Sequence, residues 1–371
     1  MSLYRNFLNV GGLTLLSRAF GFVRDALMAA VLGTGLAADA FYAAFRFPNL
    51  FRRLFAEGAF NTAFVPMFAG ALEQHGADHA RQLAARIMAW LVLVLLVVTV
   101  LAELFMPVLL VPFVPGFLED QEKFELTVLL TRILFPYLAC MSLVAAYAAI
   151  LNALHRFIAA AFAPVMLNLI NITVLLAVIV LAVNDKVTAA IWVSMATIVA
   201  GIAQLAIVWW AVKRAGFLPR LELPRFDPVV RRFWMLALPA VLAGGITQIN
   251  LFVGTIIASG AASAISYLYY ADRLYQLPLG IIGIAIGTVL LPLLAGHLKG
   301  GREIEARHVQ DQSLLVSMLL SMPAATALIA LAVPIVRVLF ERGAFDATAT
   351  VETARALVAF AAGLPAFVLI R

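Results

Sequence analysis

The sequence is short of charge and nearly without cysteine. Of 371 residues, 12% are Asp, Glu, Lys or Arg, against about 25% in soluble globular proteins. That deficit excludes a water-soluble domain, whose surface could not be covered. The single cysteine, Cys140, lies in an apolar run, cannot form an internal disulfide, and reads as a packing residue. No cleavable signal pattern precedes the first apolar segment, which therefore serves as its own insertion signal. HExxH, GxSxG and P-loop motifs are missing, which argues against an envelope enzyme. No nucleic-acid motif accompanies the net charge of +6. His75 and His79 have helical i,i+4 spacing but no further ligands nearby, so no metal site is expected.

What the sequence has instead is apolar length. Hydrophobic residues make up 64%, in recurring runs long enough to cross the hydrocarbon core. The runs lack the alternating ten-residue strands of a barrel. The expectation is an all-α polytopic membrane protein with ten segments: 7–32, 36–70, 83–113, 125–152, 158–183, 187–213, 230–257, 263–297, 309–339 and 350–371. Short turns separate them, except for the basic, proline-containing stretch 214–228. This predicts an N-terminal lobe over 1–213, a cytoplasmic linker over 214–228 and a second lobe over 229–371.

Charge sets the orientation. With the N-terminus in the cytoplasm, Arg5, Arg81, Arg86, Arg156, Lys213, Arg214, Arg220, Arg225, Arg231, Arg232, Lys299, Arg302 and Arg307 fall inside or beside inside loops. Only Lys123, Lys186, Arg337 and Arg342 fall outside. The positive-inside rule then favours a cytoplasmic N-terminus.

A repeat links the two halves. Shifting the chain by 226 residues lays NTAFVPMFAG (61–70) over GTVLLPLLAG (287–296), matching Thr62 to Thr288 and Pro66 to Pro292. With one extra residue, Pro107 pairs with Pro334 and Phe113 with Phe340. Six segments separate equivalent positions, so the halves run parallel around an axis along the membrane normal. Transporters with such halves bind substrate between them. The second half has four segments where the first has six, so a fragment with an incomplete second lobe is expected.

Charges inside the apolar segments are the functional signal. A charge at the bilayer centre costs about 2.5–3.5 kcal/mol on insertion scales. The first segment carries Arg18, Arg24 and Asp25; Arg18 and Asp25 share a face, and Arg24 points elsewhere unless the helix bends near Gly21. Asp39 opens the second segment, which continues with Arg46, Arg52, Arg53 and Glu57 around Pro48 and Gly58. The eighth contributes Asp272 and Arg273, followed by Pro278. The bland interpretation is a set of ion pairs, Arg18–Asp25 and Arg53–Glu57, with snorkelling side chains. The functional one is a hydrated cationic cavity for an anion, because arginines outnumber carboxylates in the set and their planar forks match phosphate and carboxylate.

The stretches SRAFGFVRDAL, AADAFYAAFRFPNLFRRLFAEGAFNTAFVPMF, YYADRLYQLPLGIIGIAIGTVLLP and LFERGAFDATAT resemble the MurJ (MviN) family of bacterial lipid II flippases. That family lies in the multidrug/oligosaccharidyl-lipid/polysaccharide exporter superfamily, and the resemblance runs along the whole chain. It implies a longer, fourteen-helix protein of the bacterial cytoplasmic membrane. The implied activity is movement of lipid II, an undecaprenyl-diphosphate-linked peptidoglycan precursor, from the inner to the outer leaflet. The matching substrate-binding positions are Arg18, Arg24, Arg52, Arg53 and Arg273, with Asp25, Asp39, Arg46, Glu57 and Asp272 as gating or ion-pair residues. Gln276 stands where some relatives carry an acidic residue. The expected partners are lipid II, membrane lipids and other cell-wall synthesis proteins. No cofactor is implied, and coupling to Na⁺ or to the membrane potential stays open. The alternatives are an exporter of another lipid-linked glycan or a drug exporter; the arginine excess argues against a cationic drug.

Overall fold

The computed structural model describes residues 3–52, 61–220 and 222–370, and among them helices are the only regular elements. In chain order they are α1 (Leu3–Leu32), α2 (Leu36–Arg52), α3 (Asn61–Leu110), α4 (Gln121–Leu134), α5 (Pro136–Ala153), α6 (Ile158–Val180) and α7 (Lys186–Arg214). They continue with α8 (Pro228–Ser259), α9 (Ala264–Lys299), α10 (Glu303–Ala330), α11 (Ala332–Phe340), α12 (Ala347–Ala362) and α13 (Leu364–Ile370). A 3-10 turn over Pro115–Glu119 joins α3 to α4.

The helix starts follow from side-chain caps. Asp120 accepts from the Lys123 N–H, Asp185 from Val187 and Thr188, Asp227 from Val230, and Asp346 from Ala349. Each carboxylate satisfies a first-turn N–H that has no partner within its helix. Proline begins α5 and α8, where its missing N–H costs nothing.

Breaks fall where the chain cannot stay helical. The turn expected between the segments 36–70 and 83–113 is helical on both sides of Gly76, whose φ of 81° interrupts α3. Phe135 and Pro136 divide the expected segment 125–152 into α4 and α5. A bend of 45° at Gly363 separates α12 from α13. Residues 53–60, within the expected segment 36–70, lie outside the described residues.

Six helical stretches among the described residues are long and apolar enough to cross a membrane, or seven if α12 and α13 count as one. The ten expected segments exceed that number. The described part of α2 has 17 residues, fewer than a crossing needs, and α1 is diluted by its charged and polar residues.

The chain divides into two compact units, residues 1–262 and 263–371. In the first, α1 lies on α6, α6 and α5 on α7, α2 on α4, and α3 on α5 and α8. One apolar cluster joins Phe64, Phe68, Ile87 and Met88 of α3 to Val144 and Ile150 of α5, Val208 of α7 and Phe233 of α8. α8 therefore packs within the first unit, although the linker groups it with the second half. Linker and packing are different criteria, and the lobe boundaries rest on the linker at 214–228. The 214–227 stretch is fastened to α3: Arg86 Nη1 lies 2.8 Å from Asp227 Oδ2, and Trp90 Nε1 donates to Arg225 O at 3.0 Å.

In the second unit α9 packs on α10 and α12. Tyr270, fully buried, has its ring 5.2 Å from those of both Phe340 and Phe345.

Candidate functional site

The charges of α1 are organised by polar groups on α6. Arg24 donates from Nη2 to Asp25 Oδ1 at 2.7 Å and from Nε to the same oxygen at 3.0 Å. Its Nη1 donates to Asn168 Oδ1 at 2.9 Å. Asn168 Nδ2 in turn donates to the Ser17 carbonyl at 2.9 Å, one turn or more before Arg24. The two helices are close here: a Cβ at Gly21 would meet the Asn168 amide at 3.5 Å, an ordinary van der Waals contact. The result is a guanidinium held on two sides, with its side chain 14% exposed and that of Asp25 5%.

This differs from the expected pairing. Arg18 shares a helical face with Asp25 in sequence, yet Asp25 takes its bond from Arg24. Successive residues diverge around a helix, but arginine is long enough to curl back onto a neighbouring carboxylate. Arg18 sits at an exposed position of α1.

Asp39, in the first turn of α2, is fully buried. Its Oδ2 lies 2.6 Å from Lys123 Nζ, and Lys123 also stacks 4.1 Å from the centroid of the Phe117 ring. Lys123 was expected in an outside loop; α4 starts at Gln121, so Lys123 falls in its first turn and is buried against α2. Further along α2, Arg46 Nη1 donates to Thr255 Oγ1 of α8 at 3.4 Å, and Arg52 Nε donates to Asn49 Oδ1 at 3.0 Å. Arg53 and Glu57, with their expected pairing, lie outside the described residues.

In the same unit, Tyr137 of α5 and Gln204 of α7 are buried polar side chains on helices that pack together. Asn171 of α6 accepts from the Thr197 hydroxyl at 3.2 Å. Polar groups thus line the seam where α1, α5, α6 and α7 meet.

In the second unit, the Arg273 guanidinium lies 4.7 Å from the centroid of the Tyr269 ring. One helical turn separates Asp272 from Gln276, whose amide donates to it.

Sequence reasoning missed Lys123 and the amide partners Asn168 and Asn171. The signal was available for the amides: Asn168 and Asn171 interrupt an otherwise apolar run, and polar side chains inside a spanning helix find partners.

A bundle of apolar helices with oriented, half-buried arginines fits the class of polytopic membrane transporters. The comparisons specify the class. A family profile described as "Lipid II flippase MurJ" matches residues 28–371. A protein of Rhizobium tropici named "Probable lipid II flippase MurJ" is 53% identical over 373 aligned positions, covering 100% of this chain and 70% of its own. The solved structure titled "Lipid II flippase MurJ, inward closed conformation" superposes with a TM-score of 0.79 at 25% identity, over 97% of this chain and 73% of that one. An inward-facing multidrug resistance MATE family transporter of the MOP superfamily superposes with a TM-score of 0.71 at 13% identity, over 98% and 83%, and shares the fold. The chain belongs to the lipid II flippase MurJ family.

Proposed function

We propose that this protein carries lipid II across the cytoplasmic membrane of a bacterium, from the inner to the outer leaflet, by alternating access. The observation that carries the reading is Arg24: a guanidinium oriented by a carboxylate and an amide inside a membrane bundle. Orienting a cation in advance lowers the entropy cost of receiving a diphosphate, and arginine meets phosphate through paired N–H groups. Arg18 supplies further positive charge from α1, Arg46 and Arg52 from α2, Arg53 follows them in the sequence, and Arg273 supplies it in the second unit. Asp25, Asp39, Glu57 and Asp272 tune those cations as gating or ion-pair partners. The undecaprenyl chain stays in hydrocarbon while its charged head crosses.

The reading places ten spans in this chain, with a cytoplasmic N-terminus, six spans in the first lobe and four in a second, shorter lobe. The chain covers 70% of the length of the Rhizobium tropici relative. The reading calls for no catalytic group and no cofactor. Other cell-wall synthesis proteins are the proposed neighbours, since they supply and consume the same lipid.

The test is exposure of lipid II on the outer leaflet in cells depleted of their own flippase. The parent gene restores exposure, and Arg24→Ala or Arg273→Ala at equal abundance does not. If no form restores it, including the parent, another lipid-linked glycan is the cargo. If every arginine variant restores it, the cationic reading fails.

A further inference from the structure

One stripe of α8 fastens its end to the rest of the first unit. Phe252, Thr255 and Ser259 are three and four residues apart, which places them on one helical face. The Phe252 ring lies 5.5 Å from that of Phe113, and Thr255 accepts from Arg46 at 3.4 Å. Ser259 Oγ accepts from the Gly116 N–H at 3.0 Å. The two backbones also approach closely here, since a Cβ on Gly116 would lie 2.3 Å from the Ser259 carbonyl oxygen. Only glycine fits there without displacing α8.

The next residue, Phe117, covers Lys123 instead, and Lys123 holds the buried Asp39 carboxylate. The 3-10 turn Pro115–Glu119 therefore has an ion pair behind it and the end of α8 in front of it. A buried ion pair is a poor source of stability, because taking both charges out of water offsets most of their attraction; apolar residues of similar size would hold the fold as well. Breaking such a pair is costly, so it suits a contact that must be either fully made or fully open.

We infer that Lys123 is a positioning residue for transport: it neutralises Asp39 and, through Phe117, seats the turn against α8, forming a clasp. The clasp joins the 33–39, 111–120 and 259–263 connections, which the proposed topology places outside. The inference rests on the flippase reading, since alternating access requires this end to open in each cycle. In it, Gly116, Phe117 and Lys123 are joined as one device, and Arg46 is a tie to α8.

The test reads the clasp without reading transport. In a Cys140→Ala background, Val114→Cys places a reporter at a position that is fully buried beside the turn. A membrane-impermeant maleimide, added to intact cells, labels it slowly in the otherwise unchanged chain. Lys123→Met and Gly116→Val each raise the labelling rate tenfold or more, whereas Lys123→Arg leaves it slow. Adding Asp39→Asn to Lys123→Met produces no further increase, since the pair is already broken. Unchanged labelling in both Lys123→Met and Gly116→Val overturns the inference, as does labelling from the cytoplasmic side alone. If Lys123→Met fails to accumulate, Gly116→Val decides, because it leaves both charges in place. Failure of the flippase reading itself shows differently, as absent lipid II exposure with the labelling pattern intact.

Discussion

Asn168 decides where the Arg24 charge points, and it does so from a helix that sequence alone gives no reason to place beside α1. Replacing it by Ala removes the acceptor for Arg24 and the donor to the Ser17 carbonyl together. Leaving such groups buried and unsatisfied costs about 1–3 kcal/mol. Asn168→Ala is therefore expected to lower the unfolding temperature in detergent and to reduce lipid II exposure. Asn168→Gln, which keeps both functions on a longer arm, retains more of each; equal stability of parent and Asn168→Ala refutes the role. At this scale the sequence announced the charged members well. Arg24, Asp25, Asp39 and Arg46 stand out because ionisable residues in apolar runs are rare. The partners did not, since Asn168 is far away in the chain and hydrogen-bond pairing is a tertiary fact. Lys123 was hidden differently: beside a turn with Asp120 and Glu122, a lysine looks solvated, and only the packing of α4 on α2 buries it.

The helices themselves were legible to within a few residues wherever an apolar run met a capping aspartate, as at Asp185 and Asp227. Breaks inside runs were not, because Phe135–Pro136 and Gly363 cost too little composition to interrupt the pattern; Gly76 falls where a turn was expected, and the chain there makes only a kink in α3. Packing between helices was equally silent, and Gly201 shows why. A Cβ there would lie 2.7 Å from Tyr137 Cδ2 and 3.2 Å from Cys140 Cβ. Gly201→Ala therefore forces α7 and α5 apart, and is expected to destabilise the first unit by about 1–3 kcal/mol through overpacking. A thermal shift assay checks this, and an unchanged midpoint refutes it. The α7 cap adds a pH dependence. Hydrogen bonds from the Thr188 hydroxyl, then from the Thr188 and Val187 N–H groups, hold the Asp185 carboxyl below its ordinary value of 3.8. A carboxyl lower in the folded than in the unfolded chain stabilises the fold fully above its unfolded value, and loses that effect as pH falls through the folded one. The unfolding temperature of the parent is expected to exceed that of Asp185→Ala by less near about pH 3 than near about pH 6. A difference that stays constant over that interval would show that the cap acts without its charge.

For the molecule as a whole, composition settled the class, because no water-soluble surface can be made with so little charge. Orientation is a separate question, and its argument is electrostatic: basic residues are held on the cytoplasmic side by the cost of moving them across. The structure gathers connections of one parity, since the 33–39 end meets the start of α4 and the 3-10 turn meets the end of α8. Connections of the other parity meet as well, where Arg81 donates to the Gly216 carbonyl at 3.2 Å and Arg86 pairs with Asp227. Parity fixes which connections share a side, and the arginines then choose which side that is. Asn184 and Glu222 are exposed positions in connections of opposite parity. In a Cys140→Ala background, Asn184→Cys is expected to react with an impermeant maleimide in intact cells, and Glu222→Cys only after the membrane is permeabilised. The reverse pattern would turn the molecule over and place the Asp39–Lys123 clasp on the cytoplasmic side. Reaction of both in intact cells would break the parity, and with it the count of ten spans from which the orientation is argued.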